Sequence, residues 1–108
     1  MTRTQRAMQI WPILLCAAHN HKTLTYNELA SLIGMGANLL AQTLDRIAKY
    51  CQRNDLPSLT ALVISHKTGE PGSGLSTMED YEKDLKRVFE HKWFARPPIQ
   101  MSDLEEHS

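Results

Sequence analysis

A chain of 108 residues is long enough for one hydrophobic core and too short for two. Its apolar fraction of 42% and charged fraction of 22% are ordinary for a soluble globular domain. The formal net charge of zero excludes the large basic excess of a strong non-specific DNA binder. The two signs are nevertheless unevenly spread: residues 1–77 hold 7 basic and 4 acidic groups, a net of +3, and residues 78–108 hold 5 and 8, a net of −3. A mildly basic body with an acidic tail suits a modest nucleic-acid surface.

The first helix is expected from about Thr4 to His19. Ala7, Met8, Ile10, Trp11, Leu14, Leu15 and Ala18 form a wide apolar stripe at helical spacing. Pro12 lies inside it and predicts a kink, or a helix that restarts with Pro12 in its first turn. The apolar run from Ile10 to Ala18 is too short to span a bilayer, and no cleavable signal of the usual form precedes it. A cytoplasmic protein without a membrane segment is the expectation. Cys16 and Cys51 both fall on apolar stripes and read as two buried, free, reduced thiols.

Thr23-Leu24-Thr25 is β-prone and short, suited to the small first strand against which a wing hairpin pairs. Thr25-Tyr26-Asn27-Glu28 is a capping box that opens a second helix over 25–33. Leu29, Ala30, Leu32 and Ile33 supply its buried face, and Gly34 stops it in a left-handed cap. After the Met35-Gly36 turn, a third helix runs from Ala37 to Arg53. Leu40, Leu44, Ile47, Ala48 and Cys51 face the core, and Asn38, Gln42, Asp45, Lys49 and Gln52 face the other way, flanked by Arg46 and Arg53. Leu59 to Ile64 reads as a strand, and Ser65 to Gly74, with three glycines and a proline, as a turn-rich wing. A last helix over 77–92 starts at an N-cap on Ser76 or Thr77. Tyr81, Leu85, Val88, Phe89 and Trp93 pack it on the body. Residues 95–108 read as a Pro-containing acidic tail that is loose or lies along the surface, so that 1–94 is the domain proper.

That order of elements is the outline of a single, mainly α winged helix-turn-helix with a small β wing. LTYNELASLIGM, followed by a helix and then by an SHKTGEPGSGL turn, resembles the winged-helix DNA-binding module of O6-alkylguanine alkyltransferases and alkyltransferase-like proteins, over about residues 24–75. The resemblance implies a recognition helix and a glycine-rich wing that dock on DNA. It does not extend to the chemistry. Where that family keeps a Pro-Cys-His-Arg segment, this chain has Thr60-Ala61-Leu62-Val63. Near the position of the family's base-flipping arginine it has Ala37-Asn38-Leu39.

The candidate DNA-binding residues are therefore Asn38, Gln42, Arg46, Lys49, His66 and Lys67. Asn and Gln can read adenine bidentately, and Arg or Lys can take guanine or phosphate. Asp45 opposes phosphate unless a neighbouring cation neutralises it. Cys51 on a buried stripe has no orienting partner in the sequence, so catalysis is not expected. His19 and His21, two residues apart near a helix end, read as solvent-exposed polar residues, so neither metal nor other cofactor is expected. Trp11, Phe89 and Trp93 read as core rather than as a base-stacking platform. The expected partner is double-stranded DNA, with affinity gained by homodimerising through the first or last helix. A protein-interaction winged helix, an adaptor or inhibitor that binds another protein, is the alternative that zero net charge and the acidic tail favour. The tail could also pack over the basic recognition face and moderate DNA binding.

Overall fold

The structure is a computed structural model that describes residues 2–64 and 78–105. The expected wing with His66 and Lys67, and the expected N-cap at Ser76 or Thr77, lie outside the described residues. Helix α1 spans Arg3–His19, strand β1 Leu24–Thr25, α2 Tyr26–Ile33, α3 Ala37–Arg53, β2 Val63–Ile64 and α4 Met78–Glu90. Short 3-10 turns occupy Leu59–Leu62, Trp93–Ala95 and Met101–Leu104. The result is mainly helical with one small sheet, and no described helix is long and apolar enough to cross a membrane.

Helix α1 is the central element and touches α2, α3, α4 and all three 3-10 turns. It begins one residue earlier than expected because Thr2 and Gln5 form a capping box: the Gln5 N–H donates to Thr2 Oγ1 and the Thr2 N–H to Gln5 Oε1. Ala7, Ile10, Trp11, Leu14, Leu15, Ala17 and Ala18 are buried. The helix does not restart at Pro12. It continues through a proline that sits on the exposed face, where water can serve the Met8 carbonyl that an ordinary residue 12 would have bonded. Gln9, Pro12 and Cys16 share that face at three- and four-residue spacing, which corrects one expectation. Cys16 is exposed and only Cys51 is buried. A thiol reagent is expected to modify one cysteine in the native protein and the second only in denaturant. Rapid reaction of both, or of neither, under native conditions would contradict this placement.

The Thr25 capping box forms as read, with the Glu28 N–H donating to Thr25 Oγ1 at 3.1 Å and the Thr25 N–H to Glu28 Oε1 at 3.0 Å. Gly34 ends α2 at φ 66°, a left-handed geometry that a side chain would strain. Arg6 of α1 donates to the carbonyl of Ile33, so the last turn of α2 is capped from outside. Leu29 and Ile33 are buried, but Leu32 is 65% exposed and not part of the α2 core face as expected. An eight-residue helix has room for only a narrow buried stripe, and Leu32 lies off it.

The run Leu59 to Ile64 is not one strand. Leu59–Leu62 closes into a 3-10 turn and only Val63 and Ile64 pair. Strand alternation would send Leu59 and Leu62 to opposite faces, whereas a 3-10 turn stacks i over i+3 and buries both. β2 pairs with β1 in parallel, Leu24 with Val63 and Thr25 with Ile64. The α2–α3 unit is the crossover that makes a parallel pair accessible. Above this turn, the Tyr81 hydroxyl donates to the Ala61 carbonyl at 3.2 Å and fastens α4 to it. Trp11 meets Tyr50 and Trp93 edge to face at 5.4 and 6.0 Å, and the Trp93 indole N–H donates to the Val88 carbonyl at 2.8 Å. Both tryptophans are core, as read; Phe89 is half-buried.

Candidate nucleic-acid interface

One side of α3 is locked into the core by Leu40, Thr43, Leu44, Ile47, Tyr50 and Cys51. Thr43 is the buried polar residue there, and its hydroxyl donates back to the Leu39 carbonyl at 2.8 Å. Burial pushes the Cys51 thiol pKa up, which favours the inert protonated form.

The opposite side presents Asn38, Gln42, Asp45 and Lys49, all exposed and spaced so that they form one strip along the helix. Lys49 Nζ lies 3.0 Å from Asp45 Oδ2, an exposed i,i+4 ion pair. A pair of that kind contributes little to stability but cancels the carboxylate that would repel a phosphate. Leu39 stands beside Asn38 and is 48% exposed. Together with Leu32, it leaves two large apolar side chains flanking the Gly34–Gly36 turn.

Arg46 is placed differently from Asn38, Gln42 and Lys49. It is half-buried, and its Nη1 donates to Thr4 Oγ1 at 3.1 Å and to the Leu104 carbonyl at 3.4 Å. It therefore ties α1, α3 and the C-terminal segment together at the edge of the strip. Arg53 Nη2 donates to the Asp103 carbonyl at 2.9 Å. An open groove of about 410 Å³ runs along this edge, lined by Arg3, Gln42, Asp45, Arg46, Lys49, Arg53 and Glu105. Arg3 and Arg53 were not singled out among the candidate site residues. Arg3 is brought there only because α1 packs across α3, a contact with no local sequence signal.

A second open groove lies at the other end of the molecule, among His19, His21, Phe89, His91, Trp93 and Phe94. His21 stacks on Phe89 at 4.9 Å and His19 meets Phe94 edge-on at 5.8 Å. His91 Nε2 is buried without a hydrogen-bond partner among the described residues. Burial, and then the charge of Arg96, pull the His91 pKa below its ordinary 6.5. The unfolded chain therefore binds a proton here more readily than the native one, so this contribution to stability is complete above pH 6.5 and is lost as the pH falls below it. A His91→Gln variant is expected to lose less of its melting temperature than the wild type between pH 7.5 and pH 5, values chosen to straddle about 6.5. Equal losses would contradict the assignment.

No family model, no curated protein and no solved structure matches this chain.

Proposed function

We infer that this chain is a non-enzymatic DNA-binding domain of the winged helix-turn-helix type, working as a small regulator or DNA-associated factor. The observation that carries this reading is the exposed polar strip Asn38–Gln42–Asp45–Lys49 on a helix whose reverse side is fixed in the core. A rigidly held helix with amide side chains near its N-terminus and cations toward its C-terminus suits major-groove entry. In this mechanism Asn38 and Gln42 meet base edges, Lys49 meets phosphate, and the wing residues His66 and Lys67 meet the backbone beside the groove. Arg46 acts at the flank, next to Arg3 and Arg53. A second copy would supply the other half-site. Helix α1 spends its apolar surface inside the core and exposes Gln5, Gln9 and Pro12, and α4 exposes the charged Glu82, Lys83, Lys86 and Arg87, so a dimer through either helix would be polar.

The test is a titration of isotope-labelled protein with a short duplex, followed by backbone chemical shifts. Shifts concentrated at Asn38 to Lys49 support the reading, and shifts confined to the His19–Phe94 end oppose it. A second reading, a winged-helix adaptor or inhibitor that binds another protein, is favoured by Leu32 and Leu39. Two exposed leucines on either side of one turn suit an apolar partner surface better than a phosphate backbone. That reading predicts no shifts with duplex at all.

A further inference from the structure

The C-terminal segment engages the cations on the flank of α3. Leu104 is 1% exposed and anchors the Met101–Leu104 turn in the core between α1 and α3. Its position brings the Asp103 carbonyl to Arg53 at 2.9 Å and the Leu104 carbonyl to Arg46 at 3.4 Å. Glu105 follows immediately and lines the same groove as Arg3, Arg46, Lys49 and Arg53. The Asp103 carboxylate is spent within the turn, accepting the Gln100 N–H at 2.8 Å. Two guanidiniums are thus engaged by backbone oxygens, and two exposed carboxylates, Asp45 and Glu105, line the groove with four cations, Asp45 being paired with Lys49. A phosphodiester brings anionic oxygens to the same cations, so it competes with the Glu105 carboxylate for the groove.

We propose that the 101–105 segment is an autoinhibitory cover on the basic flank of α3, whose Glu105 leaves the groove when nucleic-acid phosphates enter beside Arg46 and Arg53 while the Asp103–Leu104 turn stays seated. This rests on the DNA-binding reading for its physiological ligand, but the cover itself concerns any phosphate. Leu104 remains the hinge point because it is buried, and Glu105 is the element that phosphate must expel.

The experiment compares wild type with Glu105→Gln and Glu105→Lys, neither of which touches the Leu104 anchor. Two probes are titrated, a labelled duplex and inorganic pyrophosphate, with unchanged thermal melts as the control on folding. The cover predicts that Glu105→Gln binds both probes about threefold to tenfold more tightly at low salt, and Glu105→Lys at least about tenfold. Tighter pyrophosphate binding by the variants, with no duplex binding by any protein, keeps the cover and sinks the DNA reading. Unchanged pyrophosphate and duplex affinities in both variants overturn the cover and leave the DNA reading standing wherever the wild type binds duplex.

Discussion

Leu104→Ala is expected to destabilise the protein by about 2–5 kcal/mol, the range for a leucine removed from a packed interior. On a domain of this size, each kcal/mol moves the melting temperature by roughly 4–8 °C, so the fall should be at least about 8 °C. The expectation is unusual because Leu104 sits in a segment that is polar on both sides and that reads as a tail. Its side chain is nonetheless 1% exposed, packed with α1 and α3, and the turn around it holds Arg46 and Arg53 through backbone carbonyls. Met101 in the same turn is 44% exposed, and Met101→Ala should stay within about 0.5 kcal/mol of wild type. Thermal melts of the two variants decide the matter. Similar small effects would mean that the 101–105 segment does not belong to the folded core.

The second large effect is on binding. Replacing Gln42 and Lys49 together by glutamate turns the exposed strip of α3 acidic, adding two carboxylates and removing one ammonium. Duplex affinity at low salt is expected to fall on the order of a hundredfold. Both side chains are exposed, so the cost to stability should be within about 1 kcal/mol, part of it the new repulsion between Asp45 and a glutamate at position 49. This pair is a better probe than Arg46, whose substitution would also remove bonds to Thr4 and Leu104. A folded double variant that binds duplex like wild type would take α3 out of the interface.

Much of the helical framework is legible in the sequence because its determinants are local. The Thr25–Glu28 capping box, the left-handed Gly34 and the stripe from Leu40 to Cys51 each act within one or two turns. They place α2 and α3 to within a residue. What is not legible depends on distant neighbours. An apolar run such as Leu59 to Ile64 suits a strand or a tight turn equally well, and the choice falls to core shape and to Tyr81 above it. Cys16 lies one position outside a stripe so wide that its edge cannot be drawn from spacing alone. Arg46 reads as a plain flanking cation because its partners are 42 and 58 residues away in the chain. The candidate strip of α3 was legible as a polar face. Arg3 and Glu105 beside it are not, since they reach the strip only once α1 and the C-terminal turn have packed against α3.

The proposed DNA-binding role is tested most directly by the salt dependence of duplex binding. Anisotropy of a labelled duplex is measured with the wild type at about 50 mM and about 200 mM salt. With two to four phosphate contacts from Lys49, Arg3, Arg46 and Arg53, the logarithmic slope should be about −1.8 to −3.6, and affinity should fall between about tenfold and about 150-fold across that range. Absence of binding at the lower salt, or binding indifferent to salt, would contradict the account and leave the leucine-flanked turn as a surface for a protein.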